Sequence, residues 1–136
     1  MADHNVICQH CQRPAQFVDS KIVYHKSYGM IYYCACKPGG AWVGCHKGTT
    51  KPLGTLADKE TRQWRMKAHE KFDPIWHKRL KHLKRKNKEA KQREARDGCY
   101  RKLADLMSIY SEKCHIGMFD SEQCKQVIAL CDAGKI

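Results

Sequence analysis

Long apolar runs are missing from this sequence: nothing in its 136 residues approaches the roughly 18 consecutive apolar side chains that a membrane-spanning helix needs. Residues 1–7 (MADHNVI) hold no apolar core ahead of the first cysteine. A secretory leader is therefore not expected, nor the oxidising compartment in which disulfides persist. Acidic residues are scarce, 14 against 26 Lys and Arg, and they are scattered among the lysines. Paired carboxylates, a Ser/His/Asp order and a phosphate-binding P-loop are all lacking, and His69-Glu70 does not have the zincin spacing. A metal-dependent nuclease would need clustered acidic ligands. These absences point to a non-enzymatic, cytoplasmic protein.

Positive charge is abundant and unevenly placed. Residues 1–57 carry 6 Lys/Arg against 2 Asp/Glu, residues 58–102 carry 17 against 7, and residues 103–136 carry 3 against 5. Solubility alone does not require such segregation, so a polyanionic partner is expected for the middle of the chain. The densest stretch is 78–96, with 10 Lys/Arg against 2 Asp/Glu.

Nine cysteines stand in this reducing setting, so bound metal accounts for them better than disulfides do. Cys8-x2-Cys11 is the spacing of a zinc knuckle, in which two thiolates on a tight loop reach one tetrahedral ion. After 22 intervening residues come Cys34 and Cys36. Spaced i, i+2 on a strand, they would share a face. Cys8, Cys11, Cys34 and Cys36 are the expected Zn²⁺ ligands, with Cys45 and then His46 as alternatives for the fourth position. If a strand at 41–44 returns from the turn, Cys45 lies far from the knuckle.

The surrounding texture gives an α+β fold, with a zinc-ribbon-like β module over residues 1–57 followed by about four helices, one of them long and basic. Strands are expected at 17–19, 22–24, 30–34 and 41–44, with Lys37-Pro38-Gly39-Gly40 as the turn before the last. So few apolar residues lie here that a staple is needed. Residues 58–96 form the basic helical segment. Asp58 caps a first helix with the stripe Trp64, Ala68, Phe72, and Asp73-Pro74 ends it and begins a second running to about residue 96. Asp97-Gly98 breaks that helix, and residues 97–136 make a helical hairpin. In it, Leu103, Leu106 and Met107 face inward, and Asp120 caps a helix with Cys124, Val127, Ile128 and Cys131 on one face.

Two runs carry a family resemblance. Val43-Gly44-Cys45-His46-Lys47-Gly48-Thr49 followed by Lys51-Pro52-Leu53-Gly54-Thr55-Leu56-Ala57 is one, and Cys114-His115-Ile116-Gly117-Met118-Phe119-Asp120 with Cys124 is the other. With the knuckle and Ser27-Tyr28-Gly29-Met30, they resemble a zinc-finger-containing domain found in phage and prophage proteins. The resemblance covers most of the chain. It implies a phage-encoded zinc protein acting in the host cytoplasm, and it assigns no biochemical role.

Further sites are weighed against packing. Cys114, His115 and Cys124 are candidates for a second metal site, although Cys124 and Cys131 lie among Val and Ile where cysteine serves as a small hydrophobe. The loop His46–Lys51 offers amides, hydroxyls and two lysines to a phosphate. Of Tyr32 and Tyr33, alternation turns one outward beside Lys21, Lys26 and Lys47, as in ribbons that stack bases. The expected function is nucleic-acid binding, to DNA or RNA, mainly by phosphate contacts. The contributing residues are Lys47, Lys51, Lys78, Arg79, Lys81, Lys84, Arg85, Lys86, Lys88, Lys91 and Arg93. The alternative is a phage protein that binds and inhibits or redirects a host protein through an acidic surface. No membrane partner is expected.

Overall fold

The structure, a computed structural model, describes residues 5–83 and 87–136. The chain divides into two compact units, the first ending at Arg62 and the second comprising Gln63–Ile136. Among the described residues no helix is long and apolar enough to cross a membrane.

The first unit is a three-stranded antiparallel meander of β1 (Gln16–Asp19), β2 (Met30–Cys34) and β3 (Ala41–Gly44). Phe17, Tyr32 and Val43 lie opposite one another across the sheet and so share a face. Tyr32 is buried there with Cys8, Ala41 and Leu56 in a core of very few side chains. The β2–β3 turn depends on Gly40, whose φ of 82° disfavours other residues and whose Cβ, if present, would overlap the Tyr33 ring. The expected strand at 22–24 does not form. Ser20–Ile22 is instead a single 3₁₀ turn, capped by Asp19 accepting from the Lys21 amide.

Among the described residues the expectation of about four helices gives way to three α-helices: α1 (Lys59–Leu80), whose first turn belongs to the first unit, and α2 (Lys88–Met107) and α3 (Ser121–Asp132) in the second. Asp58 caps α1 as expected, accepting from the Thr61 amide at 2.8 Å. The helix then runs through Pro74. Its apolar stripe continues in phase beyond the proline, from Ala68 and Phe72 to Ile75 and Trp76. The carbonyl that Pro74 leaves without a donor is that of Glu70, and both residues are exposed to water. Asp73, free of capping, accepts from the Trp76 indole at 3.0 Å.

Gly98 likewise interrupts nothing, because Ala95, Cys99, Leu103 and Met107 form one buried stripe across it. A Cβ on Gly98 would stand 3.1 Å from an Arg79 guanidinium nitrogen, so the glycine makes room for that cation. Leu106 points outward rather than inward, and Ala104 takes the inner position. Asp120 caps α3 in a reciprocal capping box with Gln123.

Candidate metal centre

Two short loops bring the ribbon cysteines together. The first is closed by the Cys8 amide on the Arg13 carbonyl and by the Gln12 amide on Cys8, with Gln12 at φ 64°. The second leaves the end of β2, so Cys36 sits on the turn and not on the strand, and only Cys34 is fixed by sheet pairing. The result is one cluster. The Sγ atoms of Cys8, Cys11, Cys34 and Cys36 all lie within 4.8 Å of one another, with Cys8–Cys36 at 3.7 Å and Cys11–Cys34 at 3.5 Å. Zinc–sulfur bonds of about 2.3 Å in a tetrahedron require sulfurs about 3.8 Å apart, which the Cys8–Cys36 and Cys11–Cys34 pairs approach and which the whole cluster reaches with shifts of at most about 1 Å.

The donor set fits the ion chemically as well. Four soft sulfurs and no oxygen or nitrogen suit zinc, and four protein ligands leave no open position for substrate. Each loop also donates an amide to a sulfur. The Arg13 N–H holds the Cys11 thiol below its ordinary range; for Cys34 desolvation dominates and raises the thiol, and the Cys36 N–H offsets only part of it. Cys36 is pushed up to about 12, first by desolvation and then by the neighbouring thiols. The residue as a whole is exposed, so that desolvation belongs to a sulfur turned toward three others. Without a cation, four such thiols cannot all ionise, and a divalent metal supplies the missing charge.

Cys45 and His46 lie outside the cluster. Cys45 follows β3 at the end remote from the Cys34–Ala41 pair and bridges to Pro52. Among the described residues no other group of three or more Cys, His, Asp or Glu side chains gathers this tightly. Cys114 and Cys124 are instead fully buried within the helical core, and burial raises both thiols to about 11. His115 is exposed, its ring 5.1 Å from that of Tyr100.

The cationic residues sort into distinct surfaces. Lys47 and Lys51 are exposed on the loop after β3. Lys78, Arg79 and Lys81 stand exposed where α1 ends, and Lys88, Lys91 and Arg93 lie on the first half of α2, with Lys91 half-buried. Lys84, Arg85 and Lys86 fall outside the described residues. Within the helical unit, Lys78 and Arg79 join His82 and Lys102 in a groove of about 480 Å³ that no Asp or Glu side chain lines. Among the described residues none of these four pairs with a carboxylate. Arg93 faces a different groove, shared with Glu94, Asp97 and Arg101.

Sequence reasoning missed His82 and Lys102. Lys102 follows Asp97-Gly98, a pair that argues locally for a break, and lies on an unbroken α2 that brings it to the groove Arg79 also lines.

A family profile described as a zinc-finger-containing domain matches residues 4–133. No curated protein and no solved structure matches the chain.

Proposed function

The chain belongs to this zinc-finger-containing family, and from that premise we propose that its ribbon holds one zinc ion through Cys8, Cys11, Cys34 and Cys36 and that the protein binds nucleic acid. The zinc serves as a staple, because a core as small as that around Tyr32 cannot offset the entropy of ordering the ribbon by itself. Binding is made chiefly to phosphates. The observation that supports this reading is the groove of Lys78, Arg79, His82 and Lys102, which three permanently charged cations line with no Asp or Glu among the described lining residues. Cations grouped without a carboxylate partner favour a polyanion, and their spread over two helices suits backbone contact better than base readout. The resemblance of the two sequence runs further supports a phage or prophage origin and a place of action in the host cytoplasm.

The test is a set of mobility-shift titrations of the zinc-loaded protein at several salt concentrations. Changing Lys78, Arg79 and Lys102 to Gln should weaken binding to all sequences alike. It should flatten the slope of log K against log salt by about 0.9 per lost contact on duplex DNA and about 0.7 on a single strand. Zinc content should be unchanged. No affinity for DNA or RNA at low salt would overturn the reading and leave an acidic protein surface as the partner that the same charge fits.

A further inference from the structure

A second surface, on the ribbon, is used neither by the metal nor by the helical groove. An open groove of about 710 Å³ is lined by Tyr24, Tyr28, Trp42 and the loop that carries His46, Lys47 and Gly48. Two of its aromatic residues are held out into water. Tyr28 is 69% exposed and Tyr24 46% exposed, although burying either ring would stabilise the fold.

The backbone keeps them there. The Tyr28 amide donates to the buried Ser20 hydroxyl at 2.7 Å, the Ser20 amide donates to the Gly29 carbonyl at 2.9 Å, and the Ser27 hydroxyl donates to Asp19 at 2.9 Å. The segment is thus pinned at both ends, and the exposed rings belong to an ordered element.

The rings differ in what they can accept. A face of Trp42 is occupied by the Arg62 guanidinium, 3.4 Å from the ring centroid, and Arg62 is tied in turn to the Ala57 carbonyl. Tyr24 stands edge-on to both Tyr28 and Trp42. Tyr28 is the most open of the three, with the Lys26 ammonium 5.4 Å from its centroid.

Across the groove the 46–51 loop is closed on itself. The His46 amide bonds Lys51, the Thr49 hydroxyl donates to the His46 carbonyl, and the buried Tyr32 hydroxyl holds Thr50 from beneath at 2.6 Å. Lys47 is left exposed at its tip, and no Asp or Glu lines the groove.

An open tyrosine ring beside one lysine, with a second lysine on the facing loop and no Asp or Glu lining the groove between them, is the chemistry that takes an unstacked base and its phosphate. We infer that this groove is a single-strand site, in which a base stacks on Tyr28 while Lys26 and Lys47 meet the adjoining phosphates. A duplex keeps its bases stacked inside and has none to offer the ring. The inference rests on the nucleic-acid reading above and deepens it, assigning strand choice to the ribbon and general affinity to the helices.

Fluorescence anisotropy with a labelled oligothymidylate and a duplex of equal length tests it, using the full-length zinc-loaded protein. Tyr28→Ala should weaken single-strand binding about tenfold, a loss within the range for one stacked base. It should leave duplex affinity and zinc content unchanged, and Tyr28→Phe should restore the wild-type value. If Tyr28→Ala is silent, or weakens single strand and duplex equally, while the Lys78/Arg79/Lys102 variant weakens both, the inference is overturned and the nucleic-acid reading stands. If the wild-type protein binds neither oligonucleotide, both fall together.

Discussion

The ribbon and the helical unit use the same residue for opposite purposes. Four of the five ribbon cysteines converge on one point, and three of those four are at least partly accessible. The cysteines of the helical unit are dispersed, and Cys99, Cys114 and Cys124 are buried among Phe, Leu and Val. The difference follows from core size. A dozen buried side chains hold the helical unit, so a thiol there can serve as a small apolar group. The ribbon buries only four in its main cluster and needs a cross-link to stay ordered.

The largest expected effect breaks one side of that contrast. Cys8→Ser should abolish zinc binding and unfold the ribbon, since structural zinc is worth about 10–16 kcal/mol in small zinc modules at neutral pH. Hydrogen exchange should lose protection at β1–β3 while α2 and α3 keep theirs. Cys124→Ser, by contrast, places a hydroxyl in the helical core and should cost about 1–3 kcal/mol of that unit's stability with zinc retained. Calorimetry together with metal analysis separates the two cases.

A finer test lies within the ribbon. Cys36→Ser should release zinc, whereas Cys45→Ser should leave the metal content as it was. The reverse pattern would move the fourth ligand to Cys45.

Acid should act on the ribbon in the same direction. The Cys34 thiol is raised, chiefly by desolvation, and Cys36 is raised to about 12 by desolvation and its neighbours, so these two thiols hold their protons at neutral pH without metal. Zinc must displace those protons, and its affinity should therefore fall as pH falls. The expected loss is about tenfold per pH unit for each proton released. Competition with a chromophoric chelator between pH 8 and pH 6 measures it, and a flat profile would mean thiolates already ionised without metal.

A last test concerns α1, away from the metal. Pro74→Ala should stabilise the helical unit by up to about 3 kcal/mol if the residue lies inside a continuous helix. It should do almost nothing if Pro74 opens a new one. Thermal melts distinguish these outcomes.

Those two punctuation marks, Asp73-Pro74 and Asp97-Gly98, explain most of what the sequence concealed. Proline and glycine argue locally for breaks, but the apolar stripes through Phe72–Trp76 and Ala95–Cys99 continue in phase across them, and burial decides. Reading the stripes without stopping at the punctuation restores the full length of α1 and of α2 and places Lys102 on the helix that lines a groove with Arg79. The expected long basic helix over 74–96, however, is not one helix: α1 ends at Leu80 and Asn87 caps α2, accepting from the Glu89 and Ala90 amides. The cysteine pairs of the ribbon were legible because knuckle spacing is a local constraint. Asp58 and Asp120 were legible as caps for the same reason. Tyr28 was harder to single out, because six Phe, Tyr and Trp residues crowd the ribbon and only the hydrogen bonds of residues 19–29 show which ones are held outside. Tyr32 and Tyr33, the pair that strand alternation singled out, are respectively buried and half-buried.

Everything proposed for the ribbon depends on a single metal held by its four clustered thiols and on helical cysteines that bind none. The most direct test is elemental analysis of protein purified without chelator, wild type beside a Cys114→Ser/Cys124→Ser variant. The account predicts one zinc ion per chain in both. No zinc in the wild type, or two ions falling to one in the variant, would contradict it.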